Sequence, residues 1–254
     1  MTAAPAADSG ASAMNAAAVT AAIDVTLTGR PGMDRPGMDR PGMDRPDGRG
    51  RTGLHLTATG LHGNPDVTVG QVEVTSDGWH VLRRTTFDYR RRDGRVVREQ
   101  RETYDRGNGA TILLYDPVRR TVLLTRQFRY PAYVNGHPDG MLIEAAAGLL
   151  DDDAPGVAIR REATEELGVD VRELRHVFDL YMSPGSVTER VHFYVAAYGP
   201  ADRVAPGGGL AEEGEDIEVL EIPADDAMLM VADGRIVDGK TVILLQWAAL
   251  TGLL

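Results

Sequence analysis

The chain contains no cysteine, which excludes disulfide scaffolds, thiolate-held metals and cysteine nucleophiles. No apolar run approaches the ~18–20 residues that a membrane-spanning helix needs. The first basic residue is Arg30, so the basic start of a secretory signal is missing. Basic charge is in the minority, 27 residues against 38 acidic ones for a net of −11, and of those 27 only Lys240 is a lysine. Such a chain has no general attraction for nucleic acid or for an anionic membrane, and an anionic substrate must be met by a local site. What remains is 254 residues, 43% hydrophobic and 26% charged, the balance of an ordinary soluble protein. The expectation is a cytoplasmic protein with neither nucleic-acid nor membrane partners.

The character of the sequence changes near residue 67. Before it lie an Ala/Ser/Thr stretch and the five-residue unit Arg30-Pro-Gly-Met-Asp34, repeated from Arg35 and Arg40 and cut short at Arg45. A proline and a glycine in every unit forbid helix and sheet alike, so residues 1–66 are expected to be a disordered low-complexity extension. From Val67 strands dominate. Trp79 to Arg91 and Arg95 to Tyr104 flank Asp93-Gly94, a hairpin signal, and short apolar runs follow at Ala110–Tyr115, Val122–Phe128 and Met141–Ala147. A helix is predicted next, with Asp152 or Asp153 as its cap, Pro155 in its first turn and Gly168 past its end. Further strands are expected around Leu174–Tyr181, Val187–Tyr198 and Ile217–Ile222, and two helices after Pro223 and after Gly239. Many strands with few helices indicate a layered α/β domain.

The first helix carries Glu162, Glu165 and Glu166, which spacings of three and four place on one stripe. Three like charges in two turns repel unless something cationic resolves them, and a hard divalent ion with oxygen ligands would do so. Taken alone, the stripe could equally be a solvated acidic face. The histidines His137, His176 and His192 are scattered along the chain and read as ordinary structure.

The strand–loop–helix that opens at Gly148 and closes on REATEELGV resembles the Nudix box. From Gly148 to Arg161 it is one residue shorter than the general pattern, with Asp153 or Ala154 where the first glutamate belongs. The runs TYDRGNGATILLYD, RQFRYPAYVNG, AAAGLLDDDAP, DLYMSPGSVTE, GEDIEVLEI and DGKTVILLQW closely resemble the GDP-mannose pyrophosphatase branch of that family, which has the same shortened AGLLD box. The resemblance implies an α/β/α sandwich around a mixed sheet over residues 105–254. It also implies an N-terminal antiparallel β-element, residues 67–104, exchanged across a homodimer. The implied activity is Mg²⁺-dependent hydrolysis (Mn²⁺ as substitute) of GDP-mannose to GMP and mannose 1-phosphate. ADP-ribose or a broader set of nucleoside-diphosphate sugars is the alternative, and a non-catalytic nucleotide sensor the remote one.

By the same resemblance, the Ala147 carbonyl, Glu162, Glu166 and Glu215 hold metal. Glu213 is the general base for the attacking water, and Glu165 lies beside the metal ligands with a catalytic role. The glycines Gly207–Gly209 before this acidic loop suit a mobile segment. Substrate contacts are expected at Gly148, Leu149, Trp79, Gln100, Arg101, Glu102, Arg129, Glu189 and Lys240. Trp79 is placed to stack on a base or, alternatively, to join the core. Arg129 is placed to pair with a phosphate or with a structural carboxylate.

Overall fold

A computed structural model describes residues 63–151 and 153–254, all within one compact unit. The repeat-bearing extension lies outside the described residues, apart from residues 63–66 at its end. There the Asn64 carbonyl accepts from the Val67 N–H and Asp66 pairs with Arg90.

Three antiparallel strands come first: β1 (Val67–Asp77), β2 (Val81–Arg90) and β3 (Val96–Asp105). The β2–β3 hairpin turns at the expected Asp93-Gly94, with Gly94 at φ +83° in the left-handed region that glycine enters without cost. Trp79 departs from expectation. It belongs to no strand but to the bend between β1 and β2, where it is 75% exposed and therefore no part of the core. The base of this sheet is closed by a buried ion pair between β2 and the end of β3, Arg83 to Asp105 at 2.6 Å. Asp105 also accepts from the Gly107 N–H and the Thr188 hydroxyl, so the buried carboxylate is well supplied with donors.

The second sheet has seven strands, in the order β10 (Glu218–Pro223), β5 (Thr121–Phe128), β4 (Gly109–Asp116), β9 (Arg190–Ala197) and β8 (Arg175–Tyr181). Two short strands, β6 (Met141–Glu144) on β5 and β7 (Ala146–Leu149) on β4, complete it. Only β4 and β9 run parallel, so the sheet is mixed, as anticipated. The predicted single strand Met141–Ala147 is in fact two. The chain crosses from β5 to β4 at Ala145, whose N–H donates to the Thr241 hydroxyl at 2.6 Å. A short helix that the sequence reading did not anticipate, α1 (Tyr130–Val134), precedes this crossing.

Alternation along the strands feeds two cores. Ile112, Leu114 and Leu123 pack with Ala158, Ile159, Ala163 and Leu167 of α2 (Pro155–Leu167) on one face. Leu113, Val122 and Leu124 pack on the other with α3 (Ala224–Ala232) and α4 (Gly239–Leu250). Each fully buried Leu or Ile contributes about 1.5–3 kcal/mol, enough to seat α2 against the sheet although its mean hydropathy is low. Pro155 opens α2 as predicted, but Ala154 rather than Asp152 or Asp153 stands at the cap and supplies no side-chain bond. Among the described residues no helix is long and apolar enough to cross a membrane.

Candidate active site

The helix α2 ends where its carboxylates meet β7. Glu162 and Glu166, one turn apart, are buried, whereas Glu165 is only half-buried. Glu166 Oε2 accepts from the Ala147 N–H at 3.2 Å. The Glu162 carboxylate lies so close over Gly148 that a Cβ there would come within 2.1 Å of Oε1. Glycine at this position is therefore a matter of close approach.

The like-charge problem raised by the sequence is half resolved within the chain. Arg161 reaches both Glu162 and Glu165 at 2.9 Å. Glu166 receives no such partner. Burial, with Glu162 and Glu215 adding to it, pushes its carboxyl up to about 8. Glu215 thus belongs to the same cluster, held by the Leu210 N–H to its Oε2 at 2.9 Å. Glu213 is placed by its backbone in the single turn of 3-10 helix Ala211–Glu213.

The glycine run has a conformational reason. Gly207, Gly208 and Gly209 all have φ between +74° and +114°. Their path brings the N–H groups of Gly208 and Gly209 onto the carbonyls of Glu166 and Glu165, at 2.9 and 3.0 Å. These bonds satisfy acceptors that the end of a helix leaves open and dock the acidic loop against α2.

Beside β7 lies a cavity of about 370 Å³. Ala147 and Gly148 form its wall, with Arg106, Arg129, Glu144, Glu189 and Lys240 around them. Three cations, Arg106, Arg129 and Lys240, gather there in a chain of net −11, the groups with which a local site would meet an anion. Arg129 grips Glu144 through Nε at 2.8 Å and Nη2 at 2.7 Å, the structural carboxylate pairing of its two anticipated roles, and it also lines the cavity. Lys240 lies 2.8 Å from Asp238 and 3.6 Å from Glu144. Burial opposes its charge, but Asp238 and Glu144 outweigh burial and raise it above the usual lysine value. Asp238 caps α4 by accepting from the Thr241 N–H, which fixes the lysine on the helix end. Glu189 pairs with Arg106 at 3.4 Å.

The remaining expected contacts are elsewhere in the chain. Leu149 lies on β7 but not on the cavity wall. Trp79, in the bend between β1 and β2, and Gln100, Arg101 and Glu102, on β3, line no part of the cavity. Gln100 bonds Thr86, Arg101 pairs with Glu99, and Glu102 with Arg84. Arg106 and Glu144 were not singled out from the sequence, since nothing in their spacing marks them. Two histidines are also corrected: His176 and His192 are not scattered but converge on Asp179.

The donor set at Glu162, Glu166, Glu215 and the Ala147 carbonyl is all oxygen, the chemistry of a hard divalent ion. Burial first, and then the neighbouring carboxylates Glu162 and Glu215, disfavour the charged form of Glu166, and a bound cation would oppose both effects. These residues fit such an ion.

Comparison with known proteins agrees with this arrangement. Residues 66–104 match the family model described as the GDP-mannose pyrophosphatase NudK N-terminal domain, and residues 105–244 match the NUDIX domain. The GDP-mannose pyrophosphatase of Salmonella arizonae is 53% identical over 189 residues, covering 74% of this chain and 98% of the relative. That of Klebsiella pneumoniae is 56% identical over 182 residues, 72% and 91% of the two chains. A crystal structure of an ADP compounds hydrolase shares the fold, with a TM-score of 0.57 at 18% identity over 76% of this chain and 100% of its own. With a matched domain across more than half its length and glutamates of the expected helix gathered against a cationic cavity, the chain belongs to the Nudix hydrolases.

Proposed function

We propose that the protein hydrolyses GDP-mannose to GMP and mannose 1-phosphate, using Mg²⁺ or Mn²⁺ at Glu162, Glu166, Glu215 and the Ala147 carbonyl. The observation that carries this reading is adjacency: Ala147 and Gly148 of β7 touch Glu166 and Glu162 and also line the cavity that holds Arg106, Arg129 and Lys240. Relatives at 53–56% identity that bear the name GDP-mannose pyrophosphatase support the choice of substrate.

Pyrophosphate cleavage depends chiefly on positioning and on neutralising charge. Divalent ions would supply the neutralisation and lower the pKa of the attacking water. Arg129, Lys240 and Arg106 would hold phosphate oxygens, while Glu189 would accept from a sugar hydroxyl. Glu213 is the proposed base that takes the water's proton. Glu165 is the alternative base, although its ion pair with Arg161 favours a positioning role. In the homodimer we infer, the β1–β3 sheet of one copy would bring Trp79, Gln100, Arg101 and Glu102 to the cavity of its partner. The soluble composition supports a cytoplasmic setting.

The test is parallel assay of GDP-mannose, ADP-ribose and other nucleotide sugars, with metal-dependent release of phosphatase-sensitive product as the readout. GDP-mannose should give the highest kcat/KM. A clear preference for ADP-ribose would move the assignment to the alternative, and turnover without divalent metal would remove the carboxylate cluster from the chemistry. Light scattering of the full chain checks the dimer.

A further inference from the structure

Strand β8 is the edge of the seven-stranded sheet, and β9 is its neighbour. In a regular strand, residues three apart point to opposite faces, so His176 and Asp179 would not meet. The register breaks between them. His176 stands opposite Tyr194, Phe178 opposite Phe193 and Asp179 opposite His192, which leaves Val177 as the extra residue of a bulge. That one residue returns His176 and Asp179 to the face that His192 occupies. His176 Nε2 and His192 Nδ1 each lie 2.7 Å from the same oxygen, Asp179 Oδ1. All three ligand atoms lie within 4.8 Å of one another.

Two imidazole nitrogens and one carboxylate oxygen are a borderline donor set, suited to zinc, unlike the all-oxygen cluster at α2. Zinc bonds of about 2.0–2.1 Å at tetrahedral angles put ligand atoms about 3.3 Å apart. Both His–Asp distances would open by about 0.6 Å from their 2.7 Å, and wider separations would close. Side-chain rotation suffices for this. His192 is nearly buried at 10% side-chain exposure, whereas His176 is 47% exposed, which leaves solvent access for a fourth, water ligand. The His176 ring is also seated on Tyr194, with centroids 5.2 Å apart. Burial, aided by Arg190, holds His192 below the usual histidine value despite Asp179, so it is a neutral ligand at neutral pH. Burial would raise Asp179, but hydrogen bonds from both histidines prevail and keep it ionised.

We propose that His176, Asp179 and His192 form a second cation site, for zinc or a similar borderline divalent ion, that staples edge strand β8 to β9. It is separate in donor chemistry and in sequence from the carboxylate cluster, and it stands whether or not GDP-mannose is the substrate.

The experiment uses the full chain stripped of metal and then saturated with Mg²⁺, which occupies the carboxylate cluster. Zn²⁺ is titrated in competition with a chromophoric chelator. The parent should take up one equivalent of Zn²⁺, and His176→Ala should weaken that binding at least tenfold, the least expected from losing a ligand when outer partners alone cost about 10–100-fold. Asp179→Asn should weaken it as well, while Glu162→Gln should leave it intact. Co²⁺ in place of Zn²⁺ should give the visible absorption of a four-coordinate site in the parent and lose it in His176→Ala. Zn²⁺ at a hundredfold excess over Kd should raise the parent's Tm by about 5–11 °C and not that of His176→Ala. Because His176 is exposed, the variant keeps its fold, which circular dichroism verifies. Equal Zn²⁺ uptake by parent and His176→Ala, uptake abolished by Glu162→Gln, or no uptake at all would each overturn the proposal.

Discussion

Replacing Glu166 by glutamine should cripple the enzyme and stabilise its metal-free fold. Burial first, and then Glu162 and Glu215, raise the Glu166 carboxyl from 4.5 to about 8. Between those two values the folded chain holds a proton that the unfolded chain has released, so stability falls as pH rises through this window. At about 1.4 kcal/mol per pH unit, the loss is under about 1 kcal/mol at pH 5, about 3 kcal/mol at pH 7 and close to 5 kcal/mol above pH 8. Glutamine removes the charge yet keeps an oxygen for the Ala147 N–H. In EDTA the variant should therefore melt roughly 6–12 °C above the parent at pH 7, taking 2–4 °C per kcal/mol for a chain of this size. At pH 5 the two should nearly coincide. Scanning calorimetry at both pH values reads this directly. With saturating Mg²⁺, turnover of the variant should fall by at least ~10²-fold. Parent and variant melting in parallel from pH 5 to 8 would refute the electrostatic argument, and parental turnover would refute the metal assignment.

Gly148→Ala should cost a comparable ~10²-fold in turnover with little change in Tm, since the added methyl strikes only the movable Glu162 carboxylate; wild-type kinetics would show that this carboxylate has no fixed place. Lys240→Ala should raise KM for the nucleotide sugar about tenfold or more, the scale of a charged hydrogen bond, and Lys240→Arg should rescue it only in part. Arginine presents a planar fork where lysine gives a compact ammonium, so an arginine variant matching the parent would mean that charge alone matters. Removing residues 1–62 should leave specific activity and Tm within error of the parent, because a unit with Pro and Gly in every five residues builds no core; an insoluble product would contradict this.

The sequence made the layered architecture legible because the two periods that define it are local. Short apolar runs at Ala110–Tyr115 and Val122–Phe128 marked the strands, and Pro155 with Gly168 bounded the central helix. The carboxylates Glu162 and Glu166 were legible for the same reason, since a helix puts residues four apart on one stripe. Glu144 and Arg106 were not, because their relevance depends on which strand edges the chain meets after crossing from β5 to β4 at Ala145. His176 and Asp179 were hidden by a different cause: a bulge of one residue inverts the face that plain alternation assigns. Trp79 was misplaced because an aromatic next to a strand pattern reads as part of it, whereas Gly78 and His80 bend the chain there.

The parallel pairing of β4 with β9 also bears on how the chain is made. Ile112, Leu113 and Leu114 are wholly buried, yet Gly109 finds its partner at Val191, roughly eighty residues later. At a synthesis rate of about 5–20 residues per second, β4 waits about 4–16 s for that neighbour to be made. In the interval it can pair with β5 and β7, which come soon after it, but its other edge stays open. Loop closure of this length also makes the parallel pair a late event in folding. Ribosomal stalling or truncation after Leu150 would leave an apolar strand with an unpaired edge, the usual seed of aggregation. Completion of β9 closes that edge of β4, while β5 keeps its own outer edge open until β10 follows.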